Sequence, residues 1–151
     1  MVISYLKKTS GFTLIELLIV LAIIGIISLV GVPNYNTFLE KSRFEKATNN
    51  LYNAYRFARS EAIKTSSPMT LKPKEVNDWS DGWKVVDSTD RVLLTVKAPH
   101  STVNISGNAI TVFGRGSINM DGLTMLKVFT AQRIMNICIL ESGQSKKEGC
   151  V

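Results

Sequence analysis

From Phe12 to Val32 the chain carries one charge, Glu16, and this run limits the possible folds more than any other feature. About twenty residues at a helical rise of roughly 1.5 Å match a hydrocarbon layer of about 30 Å. Inside lipid every backbone amide must be satisfied within the segment, so helix is the expected form. The many Ile and Val residues do not argue against it there. Lys7 and Lys8 precede the run, and such charge stays on the cytoplasmic side, which directs the rest of the chain outward. Glu16 does not suit a plain anchor, since an ionised group within a span costs about 2.5 to 3.5 kcal/mol, less near an interface. Two readings are open for it: a carboxylate among the headgroups, or a group waiting for a partner.

The stretch Lys7-Lys8-Thr9-Ser10-Gly11-Phe12-Thr13-Leu14-Ile15-Glu16 resembles the class III signal of type IV pilins and type II secretion pseudopilins. The resemblance implies that a prepilin peptidase cuts between Gly11 and Phe12 and N-methylates Phe12. It also implies that Glu16 meets the N-terminal amine of a neighbouring subunit during assembly. The physics agrees, because amine and carboxylate offset each other's desolvation cost in a low dielectric and so favour one register. An ordinary secretory peptide would end its apolar region at a small-residue cleavage site, which is missing here. The segments expected on this basis are a cleaved leader at 1–11, a transmembrane and filament-core helix at 12–32, and an exposed pilin domain at 33–151. The protein would sit in the bacterial inner membrane as a single-pass subunit, its C-terminal domain in the periplasm, before entering a filament. Implied partners are other major and minor pilins, the prepilin peptidase and an inner-membrane assembly platform.

A chain of 151 residues leaves room for one domain beyond the anchor. Its formal charge of +6 falls when the leader takes Lys7 and Lys8 away. Such mild basicity fits a solvated surface and also an anion-binding one. Pro33 should bend rather than stop the helix, because the helical pattern resumes beyond it. Phe44, Ala47, Leu51, Ala54, Tyr55, Ala58 and Ala62 recur at three- and four-residue spacing, which predicts a face packed on a sheet. Arg43, Lys46, Asn49, Asn53, Arg56 and Ser60 populate the other side.

The helix should end near Lys64, ahead of Thr65-Ser66-Ser67-Pro68. Strands are then expected at 69–72, 83–86, 91–97, 103–106, 109–113, 123–129 and 133–140. Gly107-Asn108 and Asp121-Gly122 suit two-residue hairpins, and Asp87 to Asp90 a longer one. Pro73 to Asp81 reads as a loose stretch. The expected fold class is α+β, with one long N-terminal helix packed on mostly antiparallel sheet.

Ala58-Arg59-Ser60-Glu61-Ala62-Ile63-Lys64 and Trp79-Ser80-Asp81-Gly82-Trp83-Lys84-Val85-Val86-Asp87 resemble the GspH/FimT group of minor pilins and pseudopilins. Each stretch also has a structural reading: Gly82 would permit a tight turn between two aromatics, and Arg59 and Glu61 would decorate an exposed helix end. The resemblance implies initiation of filament assembly or a place at the tip. Some DNA-binding members carry a glycine-arginine-any-arginine motif near the C-terminus. Gly143-Gln144-Ser145-Lys146-Lys147 stands at that place without the first arginine. Arg115, Lys127, Arg133, Lys146 and Lys147 are the residues that would contact DNA. The other alternative is a type II secretion pseudopilin acting in protein export.

Cys138 and Cys150 are the only cysteines. In an oxidising envelope such a pair makes a disulfide, worth roughly 3 kcal/mol for a short loop, although free thiols are the alternative. Two cysteines with no nearby histidine do not make a zinc site. Nothing points to a cofactor or an enzyme: His100 is the lone histidine beside Pro99, and Gly114-Arg115-Gly116 lacks the lysine of a phosphate loop.

Overall fold

One helix, α1, runs from Leu14 to Thr65 in the computed structural model. The structure describes residues 11–118 and 124–147, without the side chains of 29–34. The helix does not stop at Pro33, in line with the pattern that resumes beyond it. The chain divides into two units, the first ending at Leu39 and the second spanning Glu40–Val151.

In the second unit, the seven residues spaced for a packed face are all buried: Phe44, Ala47, Leu51, Ala54, Tyr55, Ala58 and Ala62. Four are alanines, so strands can approach the helix axis closely, while Leu51 and Tyr55 fill the core with larger side chains. Each such large apolar side chain contributes about 1.5 to 3 kcal/mol by leaving water. Lys46, Asn49, Asn53, Arg56 and Ser60 are exposed on the other side, with Arg43 half-buried. The helix closes in a Schellman arrangement. Ser67 N–H donates to Ala62 O at 3.2 Å and Ser66 N–H to Ile63 O at 3.3 Å, with Ser66 at φ 50°. Pro68 follows, where helix cannot continue.

Eight strands follow among the described residues: β1 Met69–Glu75, β2 Asp78–Asp87, β3 Val92–Lys97, β4 Asn104–Ser106, β5 Ile110–Val112, β6 Thr124–Phe129, β7 Ile134–Ile139 and β8 Ser145–Lys147. They form two four-stranded sheets, ordered β3-β2-β1-β5 and β4-β6-β7-β8, with every pair antiparallel. Both sheets send side chains into the same core, among them Leu71, Trp83, Val85 and Ile110 from the first and Leu126, Val128, Ile137 and Ile139 from the second.

Four expectations about the strand region change. Pro73 to Asp81 is not loose, because β1 runs on to Glu75 and β2 starts at Asp78, joined through Val76 and Asn77 at φ 60°. Pro73 is tolerated since β5 pairs only with Met69, Thr70 and Leu71, so its missing N–H costs no bond on that side. Gly107-Asn108 is not a hairpin; it carries the chain from β4 in one sheet to β5 in the other. Gly82 makes no turn either. It lies inside β2 opposite Lys97 at φ 94°, where a Cβ would collide with the Val96 carbonyl oxygen. Finally, β8 was not anticipated, because Ser145-Lys146-Lys147 shows none of the apolar alternation that marks a half-buried strand.

The turn expected at Asp87 to Asp90 is present, and Asp87 organises it. Its carboxylate accepts from the Thr89 hydroxyl at 2.7 Å, the Thr89 amide at 2.9 Å and the Arg91 amide at 3.0 Å. These bonds, the Thr89 hydroxyl foremost, hold the carboxyl down at about 2. Asp121-Gly122 lies outside the described residues.

Candidate functional site

The first candidate is the N-terminal end of α1. Thr13 caps the helix: its Oγ1 accepts from Glu16 N–H at 3.3 Å, and its carbonyl from Leu17 N–H at 3.3 Å. Thr13 and Glu16 thus stand in the spacing of a capping box, with a carboxylate in the first turn where the helix dipole favours negative charge. Gly11 and Phe12 are exposed, and a Cβ built on Gly11 would meet nothing within 4 Å among the described residues. Phe12, Leu14, Ile15 and the apolar residues up to Ile27 are exposed, Phe12 by 83%. Among the described residues no helix is long and apolar enough to cross a membrane. The described side chains of this apolar run stop at Ser28, and the span expected to reach Val32 continues through side chains outside them.

The second candidate is the group of cations expected to touch DNA, and strand geometry separates them. In β6, Lys127 alternates with the buried Leu126 and Val128, so it points away from the core. Lys146 pairs with Cys138, which pairs with Met125, and this places Lys146 on the same outer face as Lys127. Lys147, one residue on, faces the helix. Its Nζ donates to Asn49 Oδ1 at 2.6 Å and sits 4.6 Å from the Tyr52 ring centroid. Arg133 lies exposed at the β6–β7 turn, and Arg115 in the 113–117 turn donates to Ser117 Oγ at 2.8 Å. Of the five cations, Lys127 and Lys146 share a sheet face, and Lys147 has turned to the helix.

Replacing Lys147 with alanine should therefore lower stability by about 1 kcal/mol, through loss of one hydrogen bond and one cation–π contact. Lys146→Ala should leave stability unchanged. Thermal unfolding of the two variants in the same neutral detergent checks this.

Cys138 is buried and disulfide-bonded. Cys150, its expected partner, lies outside the described residues.

Sequence reasoning missed a clasp made by one helix face. Tyr55 donates to Gly143 O at 2.8 Å, and Tyr52 to Ser145 O at 3.4 Å. Arg59 Nε donates to Gly116 O at 3.0 Å and Nη2 to Ser142 O at 3.3 Å. Burial pushes the Tyr55 phenol up to about 12, so it keeps the proton it donates. Arg59 thus does not decorate the helix end; it ties the 113–117 turn to the β7–β8 turn. Tyr52, Tyr55 and Arg59 at three- and four-residue spacing were the available signal, but polar residues at that spacing usually mean solvent.

Family models match both the N-terminal stretch and the region of helix end and sheets. The family described as type II transport protein GspH matches residues 47–146, and the prokaryotic N-terminal methylation motif matches residues 6–32. Fimbrial protein Q of Moraxella bovis is 31% identical over 113 residues, covering 75% of this chain and 68% of that protein. The type IV major pilin protein PilA of Myxococcus xanthus is 43% identical over 53 residues, covering 35% of this chain; the match spans 24% of that protein. The crystal structure of the type IV minor pilin FimU of Pseudomonas aeruginosa has the same fold. Its TM-score is 0.65 at 16% identity, covering 74% of this chain and 92% of that one. The chain belongs to the GspH family, with the N-terminal methylation motif and the α+β fold of type IV pilin-like subunits.

Proposed function

We propose that this protein is a minor pilin, inserted as a precursor, cut between Gly11 and Phe12, methylated on Phe12 and built into a type IV pilus-like filament. The observation that carries this reading is the uncovered apolar helix with Glu16 as the acidic residue of its first turn. Side chains from Leu14 to Ile27 left open in this way need lipid or the helices of other subunits around them. Both solvents occur in turn when a subunit moves from bilayer to filament. The partners follow from that route: prepilin peptidase, an inner-membrane assembly platform, and other pilins. Initiation of assembly, or a place at the tip, is the role proposed for it. The pairing of Cys138 with Cys150 is part of the proposal, and would tie β7 to the residues after β8.

Two alternatives are kept. A pseudopilin of type II secretion has the same chemistry at Gly11, Phe12 and Glu16, and the description of the matching family favours it. A DNA contact would now rest on Lys127 and Lys146, the two cations that share a face.

Gly11→Val should block processing, since a branched side chain would crowd the scissile bond. Immunoblots of membranes and sheared filaments test this. The variant should run as the longer precursor and be absent from filaments, whereas wild-type mobility and incorporation would contradict the reading.

A further inference from the structure

Between α1 and β3 lies a cleft that the assembly motif does not use. One part, of about 300 Å³, has Arg43, Lys46, Lys97 and His100 at its rim and Trp83 and Asn50 on its walls. It shares Lys46, Asn50 and Lys97 with a second hollow of about 650 Å³, walled by the helix on one side and Leu94 to Ala98 on the other.

Three observations point to an occupant. The titratable residues lining both hollows are all basic. Arg43, Lys46 and Lys97, like most of the described cations, make no salt bridge among the described residues. Unpaired cations along a walled groove focus positive potential there. Next, His100 Nδ1 accepts from the Thr102 amide at 3.3 Å and lies 3.0 Å from its hydroxyl. Nε2 is the ring nitrogen on the side away from Thr102. Last, β3 ends its sheet and pairs on one side only, which leaves a row of its N–H and C=O groups without a strand partner, and Leu94 to Lys97 of the same strand wall the cleft.

Cations alone would suit phosphate as well as carboxylate. Base stacking, however, needs open aromatic faces, and Trp83 is 1% exposed and Phe57 partly buried. An open strand edge instead matches the backbone of an extended peptide. We infer that the α1–β3 cleft docks an acidic, extended peptide segment of another protein, with its carboxylates on Arg43, Lys46 and Lys97 and its backbone paired to β3. That this segment belongs to a neighbouring filament subunit rests on the function proposed above; the binding itself does not.

The test uses the full chain in neutral detergent and a fluorescein-labelled, end-blocked octapeptide of alternating Glu and Val, read by anisotropy. Lys46→Gln with Lys97→Gln, both exposed side chains, should weaken binding about tenfold at low salt, each exposed charge contributing modestly. Lys64→Gln, away from the cleft, should not. N-methylation of the peptide on one of its two alternate sets of amides should abolish binding. A Lys and Val octapeptide binding as well as the acidic one, or equal binding by the double variant, would overturn the proposal. So would retained binding by both N-methylated peptides. A 20-base-pair duplex that displaces the peptide at lower concentration would assign the cleft to phosphodiesters, and self-association lost in the double variant would assign it to a second copy. Gel mobility of the double variant in cells separates this outcome from the assembly reading, because processing at Gly11 should be unaffected.

Discussion

Glu16→Ala is expected to leave cleavage at Gly11 largely intact and to reduce the chain in sheared filaments by at least about tenfold. The carboxylate sits in the first turn of α1, four residues beyond the amine that cleavage would create on Phe12. In lipid each of these charges is costly, about 2.5 to 3.5 kcal/mol within a span and less near the headgroups. Meeting the amine of a neighbouring subunit, the role proposed for Glu16, would offset both costs at once, so removing the carboxylate would leave a cation unpaired in the filament. Loss of even 1.4 kcal/mol at each subunit contact is a factor of ten. Thr13 still caps the helix through its own hydroxyl, so the helix start should survive the substitution. Glu16→Gln separates charge from shape: if pairing is the role, it should fail as the alanine does. Quantitative immunoblots of membrane and filament fractions read the result, and normal incorporation of both variants would remove the pairing role.

Gly143→Ala should destabilise the second unit by about 3 kcal/mol or more, and Gly143→Val should prevent its folding. Gly143 stands at φ 74° in the β7–β8 turn, and a Cβ there would collide with the Gly116 carbonyl oxygen and meet Arg59 Nε at 2.8 Å. Neither neighbour can yield cheaply. The Gly116 carbonyl is held by Arg59, and the Gly143 carbonyl by the buried Tyr55 hydroxyl. Relieving the collision breaks the clasp, leaving buried polar groups unpaired at about 1 to 3 kcal/mol each. Gly25→Ala is the control, since a Cβ at Gly25 would meet nothing within 4 Å. Thermal unfolding in neutral detergent distinguishes them, and a wild-type midpoint for Gly143→Ala would show that the turn adjusts.

The helix was legible because its signal repeats. Seven apolar positions at helical spacing define one face, and all seven are buried. Most strand positions were also legible from apolar composition, except β8 and the parts of β1 and β2 at 73–75 and 78–82, whereas their partners were not. Gly107-Asn108 has the composition of a hairpin turn, and only the two-sheet arrangement makes it a crossover. Gly82 signals a backbone conformation without saying whether a turn or a close neighbour demands it; here the neighbour is β3. Lys146 and Lys147 look like one patch until they are placed in a strand, where adjacent residues face opposite ways. Arg59 was missed since its acceptors lie 57 and 83 residues away, beyond the reach of any local pattern. The motif around Gly11, Phe12 and Glu16 was readable because it is a linear stretch, and the prokaryotic N-terminal methylation motif matches residues 6–32.

The central claim is that this chain becomes a processed filament subunit. Intact-mass and N-terminal peptide measurement of the protein recovered from sheared filaments tests it most directly. The account predicts a chain that begins at Phe12, bears one methyl group on its amine, and is present in the filament fraction. A chain that keeps Met1 to Gly11, or that is confined to membranes in cells making normal filaments, would contradict it.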